Sequence, residues 1–175
     1  FANKYKVPVR VLSSFNDGNG TLISLKDESM ENALVSGIAF QKDLVKFTLH
    51  SVGDTPGTAF KILGPISDAE IEVDVIVQNV SIDDKTDFTF TVSNEDKEAV
   101  EKILIDLKTE VNYKELIINS DIAEVSLVGA GMRSQAGVAS KAFKALSEND
   151  VNIQIICTSE IKITMVIDEA LVDKA

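Results

Sequence analysis

Two glycine-bearing turns, each placed between an apolar run and a helical pattern, carry residue types that suit a small polar ligand. They are Gly53-Asp54-Thr55-Pro56-Gly57 and Met132-Arg133-Ser134-Gln135-Ala136-Gly137. A turn leading into a helix N-terminus presents unpaired N–H groups and the positive end of the helix dipole, which suits a carboxylate. In the first turn, Asp54 can accept from an ammonium group while Thr58 and Ala59 offer N–H groups. The pattern predicts a site for a zwitterionic amino acid, with helix capping as the alternative role of Asp54.

Polar residues also end the apolar strand that follows each turn. Gln78-Asn79 and Thr158-Ser159-Glu160 fall at equivalent positions, which favours a role in the site over simple solvation of a sheet end. Asn152 lies at the turn between helix and strand in the second stretch, where a turn role is the alternative.

The run Gly129-Ala130-Gly131-Met132-Arg133-Ser134 raises the alternative of a dinucleotide-binding turn. That motif requires a third glycine where Ser134 stands, and an acidic residue ending the next strand of a parallel sheet. Glu160 lies near that place, but no parallel strand-helix-strand pattern continues from it. Because P-loop, GxSxG and paired-histidine motifs are also absent from the sequence, we predict no catalytic residues in this stretch of chain.

An internal repeat organises the elements that position these residues. Residues 45–79 align without a gap on residues 125–159. The identical pairs are Val45 and Val125, Gly57 and Gly137, Ala59 and Ala139, Lys61 and Lys141, Ser67 and Ser147, and Ile76 and Ile156. The interval is too long for a solenoid unit, so the repeat predicts two small domains in tandem.

The element order of the first repeat is β-α-β-β-α-β. Val35–Phe40 and Val45–Val52 are predicted strands joined by a hairpin at residues 41–43, and a helix starts at Thr55-Pro56-Gly57. Gly64-Pro65 should disturb or end that helix. The remaining elements are a central strand over residues 73–80, a strand over 86–92, a helix from Ser93 or Asn94 to about Lys108, and a strand over 116–118.

The second repeat follows with strands over residues 123–129, 151–158 and 161–167, a helix over 136–149 and a helix start at Glu169. We predict an α+β fold of two ferredoxin-like βαββαβ domains, with antiparallel sheets and helices on one face. The expected divisions are 1–32 as a tail and linker with a strand at Val7–Val11, 33–119 as the first domain, and 120–175 as the second. The second is expected to be C-terminally incomplete, unless Val35–Phe40 supplies its missing edge.

The composition argues against several classes of partner. The 175 residues carry 17 basic and 28 acidic side chains, a net charge of −11, without a basic cluster for nucleic acid or an anionic membrane. Cys157 and His50 are each alone, so neither a disulfide nor a metal site is expected. The sequence starts at Phe1 without a signal-peptide pattern or a membrane span, so we expect a cytoplasmic piece of a longer protein.

Three segments closely resemble the regulatory region of bacterial aspartokinase. They are GAGMRSQAGVASKAFKALSENDVNIQIICTSEIKITMVID, VDVIVQNVS and, at the end of that enzyme's kinase domain, KYKVPVRVLSSFNDGNGTLI. The resemblance implies two ACT domains that bind the feedback effectors lysine and/or threonine. It implies a homodimer through those domains, and as partner the catalytic domain or α subunit, which would hold ATP and Mg. No cofactor is expected in this chain, and the region occurs in that family within the enzyme or as a separate β subunit.

By this resemblance, the effector site combines residues of both repeats. Its members are Asp54, Gly57, Thr58, Ala59, Gln78, Asn79 and Ser81 from the first repeat, and Asn152, Ile153, Gln154 and Ser159 from the second. The sequence departs from the family at SQAG (residues 134–137), where a His-Pro pair commonly precedes the glycine, and it lacks the Lys-Phe-Gly-Gly-Thr-Ser kinase motif. A dimerisation module without a ligand is the alternative function.

Overall fold

The structure is a computed structural model that describes residues 1–2, 4–23, 35–79, 84–129 and 137–175. Its described strands are β1 (Val9–Val11), β2 (Thr21–Ile23), β3 (Gly37–Gly53), β4 (Ile76–Gln78), β5 (Lys85–Ser93), β6 (Glu115–Val128), β7 (Ile155–Thr158) and β8 (Lys162–Asp168). The α-helices are α1 (Thr58–Asp68), α2 (Lys97–Asp106), α3 (Lys108–Val111) and α4 (Val138–Glu148), with 3-10 helices at Asn94–Asp96 and Glu169–Lys174. None of the described helices has the length and apolar character needed to cross a membrane.

A six-stranded antiparallel sheet in the order β4-β5-β3-β6-β8-β7 forms the body of the molecule. Strands β1 and β2 form a separate exposed hairpin, which confirms part of the predicted Val7–Val11 strand and adds a partner that was not predicted. The predicted α+β class, with two ferredoxin-like units, is confirmed.

The hairpin predicted at residues 41–43 is wrong, because β3 runs continuously through it. Asp43 adopts a left-handed conformation (φ 58°), and the register with β6 shifts between Gln41 and Leu44. The polar residues therefore form a bulge rather than a reversal. Strand β6 likewise joins the strands predicted over 116–118 and 123–129 into one, so β3 and β6 run through both repeats.

The first repeat is built from residues 44–53 of β3, then α1, β4, β5, α2, α3 and the start of β6. Its core contains Phe47, Phe88 and Phe90 under Ile62 of α1 and Leu104 of α2. All five side chains are almost fully buried.

Two predictions for the first repeat need correction. Helix α1 continues through Pro65, whose carbonyl accepts from Ala69 N, because losing one internal N–H bond does not outweigh burial of the apolar face. Strand β4 is shorter than predicted and lies at the sheet edge, not the centre, with Ile76 47% exposed. The apolar alternation of residues 71–75 arises because Ile71 and Val73 pack onto the core from one side.

The second repeat takes its fourth strand from the beginning of β3. Residues 37–41 pair with residues 124–128 of β6, which then pair with β8. The segment Val35–Phe40 thus supplies the edge that the sequence left open, while the division of the chain at residue 120 stays a prediction. The core of this repeat places Val125 and Met165 under Leu146 of α4 and Val172.

A third, smaller apolar cluster lies where the repeats meet. Leu44 of β3, Ile122 of β6 and Val166 of β8 are buried together, with Ile155 of β7 packed against them. The register of β3 with β6 shifts on both sides of Leu44, and such bulges bend a strand. At this junction, Thr91 of β5 in the first repeat donates to Glu124 of β6 in the second.

Candidate functional site

The predicted effector loop joins β3 to α1. Gly57 is the N-cap of α1 in a left-handed conformation (φ 95°), and the cap has no side-chain hydrogen bond. Asp54 therefore does not cap the helix. Its carboxylate Oδ1 instead accepts from Gln78 Nε2 at 3.3 Å. The structure thus brings together two of the predicted site residues, one acidic and one amide, beside a helix N-terminus.

Thr58 has a different role from the one predicted. Its hydroxyl donates to Gly53 O at 3.0 Å, and its N–H donates to Thr55 O at 3.1 Å. The prediction that Thr58 offers a free N–H is therefore wrong, because the loop uses that donor to close itself. The N–H of Ala59 lies in the first turn, where a helix provides no internal acceptor. Thr58 therefore holds the loop together, and the N–H of Ala59 remains the candidate donor to a ligand carboxylate.

The end of β4 is tied to the same loop through β5. Asn79 O accepts from the Thr86 hydroxyl, and Asp54 N donates to Asp84 O at 2.9 Å. These two hydrogen bonds hold the backbone of the loop in place, and Asp54 itself is half-buried. Ser81 lies outside the described residues.

The second-repeat residues predicted for the site lie elsewhere. Asn152 is exposed, and Ile153 packs against the second core. Gln154 accepts through Oε1 from Lys46 Nζ and from Asn119 Nδ2 (3.5 Å), two residues in the middle of β3 and β6. These contacts tie the segment before β7 to the first repeat, well away from Asp54.

Ser159 closes the turn between β7 and β8, where its hydroxyl accepts from Lys162 N at 3.1 Å. This turn lies level with Ile38, at the opposite end of β3 from Gly53. At ~3.3 Å per strand residue, the 17 residues of β3 would extend at most roughly 50 Å, so the two ends of the strand are far apart. Within one chain, the first-repeat and second-repeat residues therefore do not form one site.

Sequence reasoning missed the side chains that join the repeats. Lys46 is partly buried, and desolvation lowers the pKa of its ammonium group. Glu124 is 3% exposed and accepts from the Thr91 hydroxyl at 3.0 Å. The sequence carried no signal for this burial, because Glu124 and Ser126 occupy the polar positions of an alternating run, where an exposed charge is ordinary. In the described ranges, no three His, Cys, Asp or Glu side chains are grouped to hold a metal ion.

Comparison with known proteins agrees with the repeated fold. Residues 49–109 and residues 125–175 each match an ACT domain family. The two matches and the shared strand order define a protein with two ACT domains in tandem.

Individual relatives specify the family more narrowly than the ACT domain matches do. The chain is 56% identical over 176 aligned residues to an aspartate kinase of Pseudomonas fluorescens, covering all of this chain and 43% of that protein. It resembles a chain in the crystal structure of aspartokinase alpha and beta subunits (TM-score 0.74, 42% identity), covering 79% of this chain and 91% of the other. The fold also matches E. coli aspartokinase III in complex with lysine and aspartate in its T state (TM-score 0.71, 23% identity; 99% and 38% covered).

The chain belongs to the aspartate kinase family and corresponds to its ACT-containing regulatory part. It spans less than half the length of the Pseudomonas relative.

Proposed function

We propose that this chain binds lysine and/or threonine and thereby adjusts the activity of an aspartate kinase. The observation that carries the proposal is the Asp54–Gln78 pair beside the N-terminus of α1. The carboxylate of Asp54 suits the ammonium group of an amino acid, and the first turn of α1 suits its carboxylate. E. coli aspartokinase III, which shares the fold, is known in complex with lysine and aspartate.

The parent enzyme would transfer a phosphoryl group from ATP to the side-chain carboxylate of L-aspartate, in the pathway to lysine, threonine and methionine. ATP and Mg would be held by a catalytic domain or α subunit, with no cofactor in this chain. An effector changes such an activity only by binding one state of the enzyme more tightly than the other. The proposed location is the cytoplasm.

A homodimer through the ACT units is part of the proposal. Within one chain, Ser159 and Asp54 lie at opposite ends of the sheet, so a site that uses both needs a second copy. Among the described residues, no strand pairs with the outer edges of β4 and β7, on which Ile76 and Ile156 are each 47% exposed. Unpaired edges with exposed apolar side chains favour strand pairing between copies.

Calorimetric titration of lysine and threonine into Asp54→Ala tests the site. Losing a hydrogen bond to a charged group should cost roughly 1.5 to 3 kcal/mol, which weakens affinity by about 10- to 150-fold. The matched control is Asp68→Ala, because Asp68 is an exposed carboxylate at the other end of α1. Asp68→Ala should bind as the wild type does. Unchanged affinity for both amino acids in Asp54→Ala would place the ligand elsewhere.

The exposed edges also support a second candidate function, a dimerisation module without a ligand. In that case, neither amino acid gives heat in calorimetry, while light scattering still reports a dimer. Heat with one amino acid and a strict monomer at tens of micromolar would retain effector binding and reject the dimer.

A further inference from the structure

A single buried carboxylate connects the two repeats. Glu124 lies in the part of β6 that belongs to the second repeat and is 3% exposed. Its Oε1 accepts from Thr91 Oγ1 at 3.0 Å, and Thr91 Oγ1 accepts in turn from Val75 N at 3.1 Å. Thr91 and Val75 are first-repeat residues on β5 and just before β4. The chain Val75–Thr91–Glu124 therefore crosses the junction.

A second carboxylate completes this contact. Asp74, also from the first repeat, lies next to this chain of hydrogen bonds, because its backbone N–H donates to Thr91 O at 3.2 Å. Its carboxyl group acts on Glu124 both as a hydrogen-bond partner and as a negative charge. Two carboxylates share a hydrogen bond only when one of them holds a proton. Burial raises the pKa of Glu124 to about 7, and the hydrogen bond and negative charge of Asp74 act in the same direction. The Thr91 hydroxyl and Lys162 of β8 oppose this rise.

The charges around the pair are mostly acidic. Asp74 lines a cavity of about 260 Å³ together with Glu72, Glu95 and Asp96, and with Gln41 of the adjacent bulge. Lys162 is the basic group whose charge acts on Glu124. Loss of the shared proton would thus place a second negative charge in an already negative region, opposed by the charge of Lys162.

We propose that Glu124 and Asp74 form a proton-dependent tie between the two repeats. With the proton present, the pair and Thr91 hold β6 against the first repeat. Without it, the two carboxylates repel each other, water enters from the adjoining cavity, and the junction loosens. The proposal does not depend on effector binding, since none of these residues belongs to the effector loop.

The direction of the pH effect follows from the raised pKa. Glu124 in the unfolded chain titrates near its ordinary value of 4.5, whereas in the folded protein it does so near 7. Between these values the folded protein keeps a proton that the unfolded chain has lost. The contribution of Glu124 to stability is therefore complete below about pH 4.5, falls as the pH rises to 7, and is constant above it.

Thermal unfolding of the 175-residue chain from pH 5 to 8.5 tests the tie, with Glu124→Gln as the main variant. Glutamine keeps the shape of the protonated acid and cannot ionise. We expect the Tm of Glu124→Gln to equal that of the wild type near pH 5 and to exceed it above pH 7. Glu115→Gln, an exposed position on the same strand, is the matched control and should follow the wild-type curve. Parallel curves for Glu124→Gln and the wild type would overturn the proposal.

Two measurements on the wild type keep the test decisive if the variant fails to fold. The side-chain carboxyl carbon of Glu124, followed by NMR, should titrate near pH 7; titration near pH 4.5 would overturn the proposal. Amide exchange at Val75, corrected for its intrinsic pH dependence, should speed up severalfold between pH 6 and 8, because its acceptor Thr91 loses its fixed partner. Unchanged protection would show that the junction does not respond to the proton.

Discussion

The two repeats share their strand order and a left-handed glycine at the N-cap of their first helix, but in the described part of the chain different elements pack on their sheets. In the first repeat, α2 lies over the sheet beside α1 and buries Val100 and Leu104 completely. In the second repeat, β8 is followed by the 3-10 helix Glu169–Lys174, and an apolar groove of about 370 Å³ remains beside α4. Its lining includes Ile38, Val125, Leu127, Ala142, Leu146 and Met165.

Both sheets have four strands, and in the described part of the chain α1 and α2 pack on the first sheet while α4 packs on the second. The exposed side chains Ile38 and Phe40, 67% and 64% exposed, lie on the strand that borders the second repeat's sheet. The comparison predicts that equivalent changes in the two cores have unequal effects.

The largest expected difference concerns one buried leucine in each repeat. Leu104→Ala should cost about 2–5 kcal/mol of unfolding free energy, because it leaves a closed cavity under α2. Leu146→Ala should cost only about 1–2 kcal/mol, since Leu146 already lines an open groove and loses fewer contacts. Urea unfolding followed by NMR amide signals from each repeat measures both. Equal costs would mean that the groove is closed in solution.

Adding volume should have opposite effects in the two repeats. Val100→Leu inserts a methylene into a filled core and should destabilise the first repeat by about 1–3 kcal/mol. Ala142→Leu extends into the groove and should be neutral or stabilising by up to about 1 kcal/mol. Thermal unfolding of both variants provides the comparison, and strong destabilisation by Ala142→Leu would show that the groove is not available to a side chain.

The smallest effects should be equal, because they concern what the repeats share. Gly57 and Gly137 have φ values of 95° and 93° at the starts of α1 and α4. A Cβ added to either glycine meets nothing within 4 Å, so substitution costs only backbone strain. Gly57→Ala and Gly137→Ala should each cost about 1 kcal/mol by thermal unfolding. A clear inequality would show that the two turns are not equivalent.

Local patterns in the sequence were sufficient to predict the fold class and most elements. Glycine turns, helical spacing and strand alternation depend on neighbouring residues, and these predicted α1, α4, β5 and β8 closely. The hairpin at residues 41–43 was wrong because a bulge and a turn use the same polar residues. Pairing with β6 decides whether these residues form a bulge or a turn, and β6 lies far away in the sequence.

The candidate site likewise contains some residues that the sequence could predict and some contacts that it could not. Turn chemistry predicted Asp54 and Gln78, which the structure places in contact. The contacts of Gln154 with Lys46 and of Glu124 with Thr91 could not be predicted, because each joins residues far apart in the sequence that no local pattern relates. The resemblance to aspartokinase placed residues of both repeats in one site. The sequence pattern does not show which of those residues meet within one copy of the chain and which would meet only between two copies.

The interleaving of the repeats has a consequence for the order in which the chain folds during synthesis. Residues 44–119 are contiguous, so the first repeat can fold as soon as they leave the ribosome. Residues 37–41 must wait unpaired until residues 124–128 emerge. By then the folded first repeat holds Leu44 next to the incoming Ile122, so the remaining search is short despite the long separation in sequence. The inserted repeat thus acts as a folding template for the repeat that encloses it.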